Sequence, residues 1–132
     1  MSVKPVVRVT ALFNKKVGTT DEEFRQYYSQ VHARHLLPNL AKYGIISYSQ
    51  QFITSDAKDK LSKAMGKPAP VSDYDVMGSI VFSSWEAVEA WFKDEENAKH
   101  QSQDGPEFAD YSNLRFVTGE ELMIVEEGKP MI

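Results

Sequence analysis

The sequence predicts an α+β fold, and two observations carry this prediction. Several stretches alternate between apolar and polar residues, a period typical of β-strands, and two capping boxes each precede apolar residues at helical spacing. Along the chain these segments follow the order β-α-β-β-α-β, which is the ferredoxin-like or split βαβ arrangement. We therefore expect a four-stranded antiparallel sheet with both helices on one of its faces.

The first strand is predicted from Pro5 to Phe13, because apolar residues alternate there. One of its faces would carry Val7, Val9, Ala11 and Phe13, and the other would carry Val6, Arg8, Thr10 and Leu12. The polar segment Asn14–Thr20 then connects this strand to the first helix.

The first helix is predicted to begin near Asp21, where Thr20 can cap it and Glu23 can reach back to the cap. At 100° per residue the buried face would carry Phe24, Tyr28, Val31 and His35, with Tyr27 beside it and His32 on its other flank. Pro38 and the pair Tyr43-Gly44 break helices, so the helix should end between Leu36 and Tyr43.

The second strand is predicted from Ile45 to Ile53, and it is polar on both faces. The next segment, Thr54–Ser72, is long for a connection between strands and is either a lid or a tolerated surface insertion. A short helix in it would place on one side Ala57, Leu61, Ala64 and Met65.

The last three elements are a strand, a helix and a strand. The third strand is predicted from Tyr74 to Phe82. Ser83 and Glu86 form the second capping box, and the helix that follows should fade from Asp94 to His100, with a stop at residues 104–106. Its apolar stripe would be Val88, Trp91 and Phe92. Residues 108–118 read as irregular, and the fourth strand is predicted over residues 120–126.

Composition limits the function. The 132 residues, 42% of them hydrophobic, fit one domain over residues 1–132 with a core of its own. There are no cysteines, which excludes disulfides and thiolate chemistry, and the net charge of −4 argues against nucleic-acid binding. No run of 18 apolar residues and no leader are present, so we expect a cytoplasmic protein without membrane contact. Apolar residues on both sheet faces would leave a large apolar patch, which a second subunit would cover in a homodimer.

Residues 19–50, TTDEEFRQYYSQVHARHLLPNLAKYGIISYSQ, combine an acidic F-x-x-Y-Y motif, a histidine within the first helix and a Gly-Ile strand. Together with the later segments DGPEF and TGEE, they resemble the EthD-type branch of the dimeric α/β-barrel superfamily. The resemblance implies a dimeric barrel of two ferredoxin-like sheets and cofactor-free chemistry like that of fungal decarboxylases of aromatic polyketide acids. The wider superfamily includes muconolactone isomerases, polyketide cyclases, anthrone oxygenases and haem-degrading enzymes.

The resemblance maps the family histidine onto His32. Decarboxylase-like members tend to carry another histidine near the end of strand two, where this sequence has Tyr48, Ser49, Gln50, Gln51 and Phe52. We therefore expect a lyase acting on an aromatic or polyketide-like substrate, by decarboxylation, dehydration or cyclisation. The alternatives are a cofactor-free anthrone oxygenase, a non-catalytic binding protein and a haem-binding protein.

The predicted catalytic residues are His32, His35 and Tyr28, and the predicted substrate-binding residues are Arg8, Tyr48 and Asp75. An imidazole titrates near neutrality, so His32 suits a general acid or base, while Arg8 can hold a carboxylate and Asp75 can orient a histidine. Each of these residues also has a purely structural interpretation. The histidines would be buried helix residues, the tyrosines would pack in the core, and Arg8 and Asp75 would be charges at strand ends in solvent. His32 and His35 lack a third ligand, so we expect no metal, and His100 should lie at the surface or at a cavity mouth.

Overall fold

The computed structural model describes residues 4–132. Its four main strands are β1 (Val6–Lys15), β2 (Ser47–Phe52), β3 (Val76–Phe82) and β4 (Ala109–Glu121). Its helices are α1 (Asp21–Gln26), a π-helix (Tyr27–His32), α2 (Ala33–Lys42), α3 (Ser55–Met65), α4 (Trp85–Phe92) and α5 (Glu95–Phe108). A two-stranded hairpin of β5 (Val125–Glu126) and β6 (Lys129–Pro130) follows β4.

The four main strands form one antiparallel sheet in the order β2-β3-β1-β4. This order is that of the ferredoxin-like fold, and it confirms the predicted class and topology. In the centre of the sheet, Val9 of β1 lies opposite Ile80 of β3 and Thr118 of β4. Because side chains alternate along a strand, these three residues face the same side, which is the side that the helices cover.

The core between the sheet and the helices has two clusters of buried side chains. One cluster is aromatic and is formed by Phe13, Phe24, Tyr28, Val76, Phe108 and Ala109. The other lies towards the opposite end of β1 and is formed by Val7, Val9, Leu36, Phe82 and Trp91. Three of the four residues predicted to share one face of β1 with each other are therefore core residues, and the fourth, Ala11, packs against the first cluster.

The first helical stretch begins and ends where the sequence predicts, but its middle is not an α-helix. Thr20 caps α1 by accepting a hydrogen bond from the Glu23 N–H, and α2 ends at Lys42. Between them the chain widens into the π-helix, in which the Ala33 N–H donates to the carbonyl of Tyr28, five residues earlier. A helix of constant 3.6-residue period was therefore the wrong expectation for this segment.

The π-helix changes which side chains enter the core. The buried residues along the stretch are four apart, namely Phe24, Tyr28, His32 and Leu36. Val31 is 39% exposed and His35 is exposed, so their predicted place on the buried face is wrong. The wider turn raises the mean number of residues per turn of the whole stretch above 3.6, so residues four apart share one face and His32 lies in the interior rather than on the flank.

The segment after β3 also differs from prediction. Ser84, not Ser83, caps α4, since its extended backbone lets the side chain accept from the Ala87 N–H at 3.2 Å. A second helix, α5, then begins after Asp94, whose side chain accepts from the Asn97 N–H. The predicted fading of the helix over residues 94–100 is wrong, because Asp94 starts a new one.

The predicted stop at residues 104–106 lies inside α5, which runs on to Phe108. Gly105 is tolerated there for a packing reason: a Cβ on it would lie 2.5 Å from the ring of Tyr111. Glycine therefore lets the beginning of β4 pack directly against the end of α5, and this contact favours the helix over the turn.

The fourth strand begins eleven residues earlier than predicted. β4 covers residues 109–121, while most of the predicted strand over 120–126 lies beyond it. Its pairing with β1 shifts register between Leu12 and Asn14, and this irregularity breaks the alternation of apolar residues. The strand therefore has no simple period-two pattern in the sequence.

The segment between β2 and β3 contains the helix suggested by the sequence. Thr54 caps α3 through the Ala57 N–H, and Gly66 ends it with a φ of 74°, a left-handed conformation that favours glycine. α3 has no buried residue, so it lies on the surface of the protein.

The sheet face opposite the helices carries both apolar and polar side chains. The strand registers place on it the apolar residues Val6, Leu12, Met77, Val81 and Val117 together with the polar residues Arg8, Thr10 and Ser79. In the middle of this face the hydroxyls of Thr10 and Ser79 form a hydrogen bond of 2.8 Å. Near the edge of the sheet Arg8 forms an ion pair with Glu121. Val117, 60% exposed, is its main exposed apolar residue on β4. The edge strand β2 contributes exposed polar side chains, namely Ser47, Ser49 and Gln51. Among residues 4–132, none of the helices is long and apolar enough to cross a lipid bilayer.

Candidate active site

A cavity of about 520 Å³ lies between the sheet and the helices. Its volume falls within the range of about 300–1,000 Å³ that is usual for small-molecule sites. Seven of the residues that line it are aromatic: Phe13, Tyr28, Tyr48, Trp91, Phe92, Tyr111 and Phe116. A wall of this kind suits a planar, largely apolar ligand.

His32 is the imidazole in the wall of this cavity, and only 2% of its surface is exposed. Its ring stacks on that of Tyr28, with the centroids 5.1 Å apart, and packs at 4.9 Å against Phe108. Two aromatic rings thus fix the orientation of the imidazole. A preorganised imidazole beside an apolar cavity is able to exchange a proton with a bound ligand.

Tyr28 lines the cavity next to His32, and its hydroxyl lies over the backbone of β3. A Cβ on Gly78 would lie 2.5 Å from this hydroxyl oxygen, so glycine is needed for the close approach. Burial, together with the charge and hydrogen bond of Tyr48, raises the pKa of Tyr28 well above its ordinary value. The phenol therefore stays neutral at physiological pH, a state in which its O–H is able to donate a hydrogen bond.

Tyr48 and Gln50 of β2 complete the polar part of the site. The Gln50 amide donates to the Tyr48 hydroxyl at 2.9 Å and to the carbonyl of Tyr28 at 3.1 Å. Burial raises the pKa of Tyr48, so this phenol is neutral as well. Gln50 therefore ties the π-helix to the edge of the sheet and holds both tyrosines in place.

The π-helix explains how one helical stretch supplies both Tyr28 and His32 to the cavity. In the π-helix these two side chains are stacked and both buried. Its wider turn offsets the rotation that accumulates in the flanking α-helices, so residues four apart stay on the buried face of the whole stretch. π-Helical turns within α-helices are frequent at functional sites.

His35 lies one turn further along, outside the lining of the cavity. Its exposed ring approaches that of His100 on α5, with the centroids 5.3 Å apart. The structure thus brings Tyr28, His32 and Tyr48 together and leaves His35 outside. Over the part of the chain described by the structure, no three His, Asp or Glu side chains are grouped so as to hold a metal ion.

Arg8 and Asp75 also lie away from the cavity. Arg8 faces the opposite side of the sheet, where its guanidinium binds the carboxylate of Glu121 and this hydrogen bond raises the pKa of Arg8. Asp75 precedes β3, and its carboxylate accepts the Lys15 N–H at 2.9 Å. In this chain Arg8 would have to leave Glu121 to bind a ligand, and Asp75 holds two strand ends together.

Several residues of the site lie in residues 108–118, a segment that the sequence predicted to be irregular. Tyr111, Leu114 and Phe116 line the cavity from β4, and Phe108 contacts His32 from the end of α5. Gly78 had a usable signal, since a glycine inside a strand pattern often marks a close approach of another group. The β4 residues had none, because the register shift removes their alternation.

A buried polar network fixes α5, and with it one wall of the cavity, against α2. Asp94 accepts from the hydroxyl of Tyr43 and from the N–H of Asn97. The Asn97 side chain in turn accepts from Asn39 at 2.6 Å and donates to the carbonyl of Trp91 at 3.1 Å. The hydrogen bonds to Tyr43 and Asn97 lower the pKa of Asp94 to about 2.

We predict that Asp94 makes the stability of the fold depend on pH below about 4. Its carboxyl has a lower pKa in the folded chain than the roughly 3.9 of an unfolded one, so its contribution is present above pH 4 and is lost as the pH falls towards 2. The measurement is urea unfolding of wild type and Asp94→Asn between pH 2 and pH 7. Other carboxyls titrate alike in both proteins, so the difference between them should shrink towards pH 2. A difference that does not change with pH would contradict the assignment.

Residues 16–112 match the family model described as the EthD domain. The chain belongs to the EthD family. Dehydratase CTB10 of Cercospora beticola is 31% identical over 103 residues, which cover 76% of this chain and 78% of that protein. Decarboxylase AgnL1 of Paecilomyces divaricatus is 24% identical over 116 residues, covering 87% and 78% of the two chains.

Among solved structures, this EthD protein is similar to a dimeric ferredoxin-like protein of unknown function from Bacteroides fragilis. The TM-score is 0.58 at 12% identity, and the match covers 91% of this chain and 100% of that one. At this identity the likeness shows the fold alone. The names of its curated relatives indicate dehydratase and decarboxylase activity in the family.

Proposed function

We propose that this protein is a cofactor-free lyase that acts on an aromatic or polyketide-like intermediate, with His32 as the general acid or base. The observation that carries the proposal is the buried His32 imidazole in the wall of an aromatic cavity large enough for a small molecule. Two curated relatives, one named a dehydratase and one a decarboxylase, support the reaction class.

Both reactions need a proton transfer between a substrate carbon and the imidazole, in opposite directions. In a dehydration, His32 takes the proton from a carbon beside a ketone, and the electron pair of that bond forms the new double bond as the C–O bond on the neighbouring carbon breaks. The imidazolium returns the proton to the departing hydroxyl, which leaves as water. In a decarboxylation, carbon dioxide leaves with the carbon–carbon bond broken, and protonated His32 delivers a proton to the carbanion. The neutral phenol of Tyr28, beside His32, supplies a hydrogen bond to the ketone or enolate oxygen.

Membership in the family is compatible with decarboxylation, but one feature of this sequence makes that reaction less favoured. Residues 48–52 near the end of β2 include no histidine, and the Gln50 amide there donates to the Tyr48 hydroxyl and to the carbonyl of Tyr28. An amide transfers no proton at neutral pH, so acid/base chemistry in this cavity depends on one histidine. One base suffices for a dehydration in which the same proton is passed on to the leaving hydroxyl.

The mass of the product distinguishes the reactions. Purified protein should be incubated with hydroxylated aromatic acids, β-hydroxy ketones and anthrones, in air and without oxygen. A dehydratase releases a product lighter by the mass of water, a decarboxylase one lighter by that of carbon dioxide, and both work without oxygen. A product that gains oxygen only in air would replace the proposal with a monooxygenase. Ligand binding without turnover would replace it with a binding protein.

We propose also that the protein is a homodimer whose sheets pack face to face, as a dimeric α/β barrel. The similar Bacteroides fragilis protein is described as dimeric and ferredoxin-like. Exposed apolar residues support this arrangement: Val117 on the open sheet face, and Leu122 to Val125 directly after β4. Light scattering should give twice the chain mass of 15.0 kDa, and the mass of a single chain would contradict the proposal.

A further inference from the structure

A second cavity, of about 490 Å³, lies beside the first and is more open to solvent. It is bounded by Arg25, Ser29, Gln30, Ala33, Tyr48, Gln50 and Phe52. Tyr48 lines both cavities, so the two are neighbours that meet at its side chain. Unlike the first, the second cavity is lined mainly by polar side chains.

Arg25 gives the second cavity a positive charge. Its guanidinium lies over the ring of Phe52, 5.3 Å from the centroid. This cation–π contact holds the planar group in a fixed orientation without using its N–H donors. Within the described part of the chain, no carboxylate forms an ion pair with Arg25.

The contrast with Arg8 decides which arginine is available to a ligand. Arg8 faces away from the main cavity and is neutralised by Glu121 in a two-point ion pair. Arg25 follows Phe24 in the same helical stretch as Tyr28 and His32, and its cavity shares a wall with theirs. In a chain with a net charge of −4, an anionic ligand needs such a local cation.

We propose that the second cavity binds a carboxylate of the substrate, and that Arg25 is the residue that binds it. This inference rests on the proposed function, because it assigns the aromatic part of the same molecule to the first cavity. The guanidinium offers two parallel N–H donors to the carboxylate, and the amide of Gln30 lies in the same wall. The substrate class is then an aromatic compound that carries a carboxylate on a short side chain.

The test compares two ligands of the same shape, a hydroxynaphthylacetic acid and its primary amide. Their affinities are measured at pH 7 by the quenching of tryptophan fluorescence, since Trp91 lines the first cavity. Arg25→Gln should weaken binding of the acid by about tenfold or more and leave that of the amide within about twofold. Arg25→Lys keeps the charge but loses the planar fork, so its affinity for the acid should lie between that of wild type and that of Arg25→Gln. Arg34→Gln, which removes an exposed arginine of α2, serves as the matched control.

Two outcomes would overturn the role of Arg25 and leave the proposed function intact. In the first, Arg25→Gln weakens both ligands equally, which would show that Arg25 only supports the wall. In the second, the wild-type protein binds acid and amide alike and the variant changes neither. Failure of the wild-type protein to bind either compound would overturn both this inference and the proposed aromatic substrate.

Discussion

Replacing His32 with glutamine should lower kcat by a factor of about 10² or more, because the side chain then keeps its polarity but transfers no proton. Affinity for the substrate should change little, since the aromatic wall of the cavity is intact. Steady-state kinetics on a substrate found by the product screen measures both parameters. Circular dichroism and thermal unfolding of the variant confirm that it folds, which matters because His32 is buried between Tyr28 and Phe108.

His35→Gln is the matched control for this experiment. It removes an imidazole from the same helical stretch, three residues further on, but from a position outside the cavity lining. Its kcat should stay close to that of wild type. Equal losses in the two variants would show that the defect is structural, and an active His32→Gln would remove His32 from the mechanism.

Gly78→Ala should disturb the site through a single contact. The new methyl group would lie 2.5 Å from the hydroxyl oxygen of Tyr28, so the tyrosine or the strand has to move. Overpacking of this kind costs about 1–3 kcal/mol of folding free energy. The displaced ring is the one on which His32 stacks, so turnover should fall together with stability.

The double variant Gly78→Ala with Tyr28→Phe tests this cause directly. Without the hydroxyl, the nearest ring atom lies 3.7 Å from the new methyl group, an ordinary van der Waals distance. The double variant should therefore be about as stable as Tyr28→Phe alone, and the two substitutions should not be additive in urea unfolding. Additive losses would show that Gly78 is required for a reason other than Tyr28.

The parts of the fold that the sequence predicted depend on local signals. The alternation in β1 and β3 and the Thr20 cap of α1 involve residues within a few positions of one another. The parts that it missed depend on contacts between distant residues. The ring of Tyr111 packs against Gly105, and this contact allows α5 to continue through the Gly105-Pro106 pair. The register shift of β4 between Leu12 and Asn14 of β1 interrupts the apolar alternation from which a strand is predicted.

The same distinction applies to the site. His32, Tyr28 and Tyr48 were predicted from one segment and its returning strand, and the structure places all three in the cavity lining. Their roles as catalytic and binding residues remain predictions. Arg25 lies in the same segment but was not predicted as a site residue. The argument for it as a ligand-binding residue depends on its contact with Phe52, twenty-seven positions away, and on the ion pair between Arg8 and Glu121.

The most direct test of the central claim is a crystal structure with a bound substrate analogue, such as a hydroxynaphthylacetic acid. We predict that the aromatic part lies in the first cavity, with the carbon or oxygen that exchanges a proton about 3 Å from an imidazole nitrogen of His32. A ligand bound on the open face of the sheet, or one that fills the cavity with its reactive atoms away from His32, would contradict this account.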